Sequence, residues 1–165
     1  MIEKGQVIKV GIAQIDVAKI PNTIRTSGLG SCVGVVLYDE SKKIAGLVHV
    51  MLPDSNLGRT ETLNVAKFAD TGIEAMIDLL KLEGIQTFKL KAKIAGGAQM
   101  FQFTSDQASM RIGPRNVEAV KLHLKKNGIP IVAEDTGGNS GRTIEFDPST
   151  SILHVRTVNQ GVSEI

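Results

Sequence analysis

Covalent chemistry in this chain has to start from one sulfur. Cys32 is the only cysteine among 165 residues, so no disulfide forms within the chain and no second thiol can resolve an oxidised one. It follows Ser27-Gly28-Leu29-Gly30-Ser31, a loop with two glycines, and opens the apolar run Cys32-Val33-Gly34-Val35-Val36-Leu37-Tyr38. Gly28 and Gly30 allow a sharp turn and a close approach of substrate. Successive amides of such a loop, through Ser31 to the cysteine, can point at a developing oxyanion. A lone cysteine opening a strand is also commonly a small, inert core residue. Position alone does not separate the two readings.

The second candidate is His49, in Gly46-Leu47-Val48-His49-Val50-Met51-Leu52. The runs 32–38 and 44–52 are joined by a short polar turn, Asp39 to Lys43, and are expected to form a β-hairpin. If Asp39 pairs with Lys42, Cys32 falls directly across from His49. If Glu40 pairs with Lys43, Cys32 falls across from Met51, two residues along the same face. In both registers thiol and imidazole share a face, with Cβ atoms roughly 5 to 7 Å apart. A one-residue slip puts them on opposite faces. Such a pair is a nucleophile and a base: imidazole takes the thiol proton, and the ion pair can lower the thiol pKa. The competing reading is a hydrogen-bonded core histidine in an apolar strand. His154 alternates with Leu153 and Val155 and falls on a polar side; His123 borders a helical stripe. One Cys and three dispersed His make no metal-ligand pattern, and neither a metal nor a cofactor is expected.

Elements that position these residues are legible as short strands around two helices. Gln6 to Gly11 and Ile15 to Ile20 lean β, stopped by Pro21-Asn22, and Thr23 to Thr26 is extended. A helix is expected between Thr60 or Thr62 as cap and Gly84, with Val65, Ala69, Ile73, Met76 and Leu80 as its apolar stripe. Phe88, Leu90, Ala92 and Ile94 alternate with polar residues as a half-buried strand ended by Gly96-Gly97. A second helix starts at Pro114 and ends before Gly128, with Val117, Val120 and Leu124 inside. Ile131 to Asp135, Thr143 to Asp147 and Ile152 to Val158 read as three more strands. This order implies an α+β fold with antiparallel or mixed sheets.

Composition narrows the function classes. The formal charge is +2, from 19 Lys+Arg against 17 Asp+Glu, with 42% apolar residues. That is an ordinary folded domain, expected to be single over 1–165, without the basic stripe of a nucleic-acid binder. The longest apolar run, Ile44 to Pro53, holds a histidine and is too short to span a membrane. The N-terminus lacks an apolar signal region, so a cytoplasmic location is expected. Gly96-Gly97 and Gly137-Gly138 do not match a phosphate-binding loop, and Gly28, Gly30 and Gly34 miss the dinucleotide spacing.

Thr26-Ser27-Gly28-Leu29-Gly30-Ser31-Cys32-Val33 and Gly46-Leu47-Val48-His49-Val50-Met51-Leu52-Pro53 together resemble the CheD family of chemoreceptor glutamine deamidases. So do Lys93-Ile94-Ala95-Gly96-Gly97-Ala98, Gly113-Pro114-Arg115-Asn116-Val117, and Asp135-Thr136-Gly137-Gly138-Asn139 with Arg142. The resemblance runs from about Gly5 to Val158. It implies a three-layer α/β/β sandwich, related to the catalytic domains of certain bacterial deamidating toxins. It implies a protein-glutamine glutaminase that hydrolyses glutamine side chains of methyl-accepting chemotaxis receptors to glutamate. Carried over by residue, Cys32 is the nucleophile, His49 the base and Thr26 the orienting third member, with no departure at these positions.

The resemblance also implies binding of the phosphatase CheC, for which Phe101 and Phe103 are the residues the sequence offers. Arg25, Arg59 and Arg115 are candidates for steering a receptor, though each also reads as an ordinary solvated charge. Other classes make different demands. A docking regulator of a receptor or phosphatase needs no reactive thiol. A redox sensor needs a resolving cysteine. A transglutaminase or protease shares the Cys–His chemistry and differs in product.

Overall fold

A computed structural model describes residues 5–57, 64–100 and 111–165. The strands are β1 (Val7–Lys9), β2 (Ile15–Lys19), β3 (Thr23–Leu29), β4 (Val33–Asp39), β5 (Ile44–Val50), β6 (Lys91–Gly96), β7 (Ile131–Thr136), β8 (Arg142–Asp147), β9 (Ile152–Thr157) and β10 (Gly161–Glu164). The α-helices are α1 (Ala69–Leu82) and α2 (Ile112–Lys126). One sheet has the order β1-β3-β8-β9-β10 and the other β2-β5-β4-β6-β7. Both are mixed: β1–β3 and β6–β7 pair in parallel, and the remaining neighbours are antiparallel.

Alternation along the strands builds three layers. On β5, Val48 and Val50 face α1 and α2 in one apolar cluster, with Ile73, Met76, Val120 and Leu124. Ala45 and Leu47 face the other way, into a second cluster with Ile24, Ile144, Phe146 and Val155 of the opposite sheet. Tyr38 and Phe146 meet across that layer with ring centroids 4.9 Å apart. The second sheet is therefore covered on both sides, and all seven residues of β4 are buried. This is why 32–38 shows no alternation. The α+β, two-helix, α/β/β expectation holds.

Several elements differ from expectation. Helix α1 starts at Ala69, and Val65 belongs to a separate 3-10 turn, Val65–Lys67. Lys67 carbonyl accepts from the amides of Met51 and Leu52, and Leu52 carbonyl accepts from Ala69, so the end of β5 sets where the helix begins. The expected caps Thr60 and Thr62 lie outside the described residues. Phe88 sits in a 3-10 turn, Thr87–Lys89, and is exposed. Strand β6 begins only at Lys91, and beyond that residue it is buried throughout, not half-buried. Its Lys93 evades the alternation rule by donating to the carbonyls of Ser151 and Ile165 at 2.5 and 2.8 Å. Pro114 is the third residue of α2. Strand β10, with all four residues exposed, carries no apolar pattern that would announce it.

Close approach of the two sheets depends on Gly34. A Cβ there would lie 2.6 Å from Ile144 Cδ1 and 3.2 Å from Leu29 Cδ1, both on the opposing sheet's side of the layer. Gly34→Val should therefore cost about 1–3 kcal/mol through overpacking. Urea titration reads this as a lower midpoint at unchanged slope. An unchanged midpoint would mean that the interface is looser than described.

Candidate active site

Thr26 and His49 come from different sheets and meet between them. Thr26 lies on β3 beside Ile24, His49 on β5 beyond Leu47, and both are buried. Thr26 Oγ1 and His49 Nδ1 are 2.7 Å apart. Thr26 Oγ1 also lies 2.8 Å from the Val10 carbonyl, to which it donates. A hydroxyl has one hydrogen. Because that hydrogen is given to Val10, the contact to His49 has to run the other way, with Nδ1–H donating and Oγ1 accepting. The neutral ring then carries its lone pair on Nε2. Nε2 is buried and has no hydrogen-bond partner among the described residues. An unpaired buried acceptor costs about 1–3 kcal/mol, so this nitrogen is kept free at the expense of stability.

Hairpin pairing brings Cys32 to the same layer. The register of β4 and β5 pairs Gly34 with His49 and Val33 with Val50. That is the second of the two allowed alignments, in which Met51 stands opposite Cys32. Cys32 itself is half-buried, just before β4, and packs against the inter-sheet cluster. The residue facing His49 is thus a glycine, and the space a side chain would take there is filled by Ile144, Leu29 and Thr26 of the opposing sheet.

A glycine corner holds the cysteine backbone. Gly97 N–H donates to Cys32 O at 2.9 Å, and Ala98 N–H donates to Gly30 O at 2.8 Å. Gly96 has φ 113°, and a Cβ there would sit 2.3 Å from Cys32 O. Arg142, buried, donates to Gly96 O at 3.3 Å and Gly137 O at 2.9 Å and is anchored on Asp135 Oδ1 at 3.1 Å. These glycines read from sequence as mere turns. Their identity as the backing of Cys32 is a tertiary fact, and the only sequence signal for it was their place in the family motif.

The preceding loop is partly strand. β3 continues to Leu29 through an irregularity after Thr26, where Gly28 takes φ 73° with open space around it. Gly30 N–H donates to Gly28 O at 3.1 Å, so that amide is spent within the loop. Among the described residues, the amides of Ser31 and Cys32 donate to no other residue. The loop's own backbone hydrogen bonding leaves these two amides unused.

Burial acts on both Cys32 and His49. Burial pushes the Cys32 thiol above its ordinary value, its own backbone amide partly offsetting this. Burial also lowers His49, from 6.5 to about 4. Thr26 is uncharged and offers the ring no counter-ion. Both shifts disfavour the charged forms, thiolate and imidazolium.

His154 is 3.6 Å from Glu164 on the outer strands, and His123 is part of α2, so neither joins this site. Among the described residues no group of three His, Cys, Asp or Glu is placed to hold a metal. Arg25 is on β3 and lines a surface depression with Glu145 and Arg156; Arg115 is on α2. Arg59, Phe101 and Phe103 lie outside the described residues.

Two pH responses follow. Alkylation of Cys32 by iodoacetamide should keep accelerating into the range above an ordinary thiol pKa, with no plateau near neutrality; a plateau at pH 6–7 would show a preformed ion pair. His49 binds its proton more weakly folded than unfolded, so stability is full above pH 6.5 and falls as pH drops toward 4. The loss is on the order of 3 kcal/mol. Urea titrations at several pH values should show it in the wild type and not in His49→Gln.

The chain is similar to known proteins along almost its whole length. The family CheD, described as chemotactic sensory transduction, matches residues 51–157. The chain is 60% identical over 159 residues to the chemoreceptor glutamine deamidase CheD of Bacillus subtilis, covering 96% of each protein. It is 58% identical to the protein of that name from Halalkalibacterium halodurans, over 98% of this chain and 99% of the relative. Among solved structures, a Neisseria meningitidis protein of family DUF152 shares the fold, with a TM-score of 0.53 at 11% identity over 81% of this chain and 64% of that one. By full-length similarity at this level, the chain belongs to the CheD family.

Proposed function

We propose that this protein hydrolyses glutamine side-chain amides of chemoreceptors to glutamate and ammonia, with Cys32 as nucleophile, His49 as base and Thr26 as the residue that orients it. The observation that carries the reading is the hydroxyl of Thr26 fixing the ring so that its free nitrogen is Nε2. The names of close relatives supply the substrate class.

The steps follow from the resting state. As the Cys32 sulfur adds to the side-chain carbonyl carbon, its proton passes to His49 Nε2. Contacts of this kind are often long before substrate binds and tighten on it. The oxyanion is taken by the amides of Ser31 and Cys32, each such donor being worth about 3 kcal/mol in the transition state. The carbon–nitrogen bond breaks as Nε2 returns the proton to the leaving nitrogen, releasing ammonia and leaving a thioester. Water then gives a proton to Nε2 and adds to the thioester carbon. The carbon–sulfur bond breaks, and the proton returns to sulfur. Every step uses groups of the chain and water, without a cofactor. The neutral third member suits this cycle, because His49 must hold the proton only briefly.

With receptor cytoplasmic regions as substrate, a cytoplasmic location is part of this proposal. Binding of the phosphatase CheC is proposed on family membership, and co-purification of the two proteins tests it.

Peptide mass analysis of a receptor cytoplasmic fragment after incubation should show glutamine converted to glutamate without chain cleavage. Cys32→Ala and His49→Ala should abolish conversion while leaving circular dichroism unchanged. Thr26→Val, which removes the acceptor at constant shape, should slow it on the order of 100-fold or more through loss of the tautomer lock, and Thr26→Ser should restore most of it. Conversion by Cys32→Ala would leave a docking role as the better account.

A further inference from the structure

Asn116 is completely buried on α2, and no step above uses it. Its Nδ2 donates both hydrogens, one to Ser31 O at 2.9 Å and one to Met51 O at 2.9 Å. Ser31 immediately precedes the thiol. Met51 is the residue that would pair with Cys32 if the β4–β5 ladder ran one step past Val33 and Val50, where it stops. Met51 N–H has turned away to Lys67 O, at 2.8 Å. At the step where cross-strand bonding ends, the Asn116 amide takes its place. It ties the segment carrying Cys32 to the strand end carrying His49.

Two features mark this contact as more than filling. The amide orientation is fixed, because the flipped form would set oxygen against two carbonyls. Asn116 Oδ1 is then left buried without a partner among the described residues, a penalty that an apolar residue in the same place would not carry. The helix that bears Asn116 is also seated on the glycine corner. A Cβ at Gly113 would lie 2.3 Å from Ala98 O, and one at Gly97 would lie 2.2 Å from Val117 Cγ2. Helix start, corner and Cys32 therefore form one rigid support.

Resting on the nucleophile–base reading of Cys32 and His49, we propose that Asn116 is a positioning residue that sets the placement of the thiol against the imidazole from outside the sheet. Asn116→Ala and Asn116→Asp remove the donors, while Val120→Ala trims the same buried helix face away from the clamp. With a receptor fragment, both Asn116 variants should lose kcat on the order of 10- to 100-fold with KM little changed, and Val120→Ala should keep its kcat. Iodoacetamide alkylation, which needs no receptor, should shift its pH–rate profile in Asn116→Ala and not in Val120→Ala. In 15N-labelled wild-type protein the Asn116 side-chain amide pair should exchange slowly and move when Cys32 is alkylated. That spectrum decides by itself if neither Asn116 variant folds. Full kcat in Asn116→Ala, an equal loss in Val120→Ala, or an amide pair indifferent to alkylation would overturn the proposal. A protein inert toward the receptor whose amide pair still responds would remove the deamidase reading and leave the clamp standing.

Discussion

The hydroxyl of Thr26 can give away one hydrogen, and the carbonyl of Val10 takes it. Everything about the site follows from that constraint. The imidazole across the layer has to donate through Nδ1, so its basic nitrogen is Nε2, which has no partner among the described residues. An aspartate in place of threonine would fix the same tautomer, but its charge would raise the histidine pKa. A neutral hydroxyl orients without charging. Burial lowers the ring's pKa to about 4, and the hydroxyl adds no charge to oppose it.

This bond spans two sheets, so it exists only if they approach closely. Gly34 stands opposite His49 and faces Ile144, Leu29 and Thr26 of the other layer, where any side chain would intrude. On the thiol's side, Gly96 and Gly97 let the end of β6 press its backbone onto Cys32. Glycines thus shape the site twice over: one by thinning the layer around His49, the others by closing in behind Cys32. The guanidinium of Arg142 then fixes the corner by bonding the Gly96 and Gly137 carbonyls while paired with Asp135 of the other sheet.

Sequence reasoning reached the shared face of Cys32 and His49 because a hairpin obeys a period of two and offers few registers. The observed one is among the two that put both residues on one face. Thr26 was legible only through family resemblance, since it is distant in sequence and its contact crosses between sheets. Strand β4 was recognised as buried from its unbroken apolar run. Phe88 misled because four alternating residues look alike whether the first belongs to a strand or to the turn before it. The start of α1 was hidden because it is set by hydrogen bonds from the end of β5 to Lys67 and Ala69, which no local pattern encodes. Gly96, Gly97 and Asn116 act through backbone atoms of distant segments, a role that leaves no periodic trace.

The protonation state of one imidazole tests the account most directly. In protein labelled with 15N at histidine, the His49 resonances should show Nδ1 bearing hydrogen and Nε2 bare throughout the neutral range, with a change to the doubly protonated ring only near pH 4. Hydrogen on Nε2 instead, or a cationic ring already present at pH 7, would contradict it.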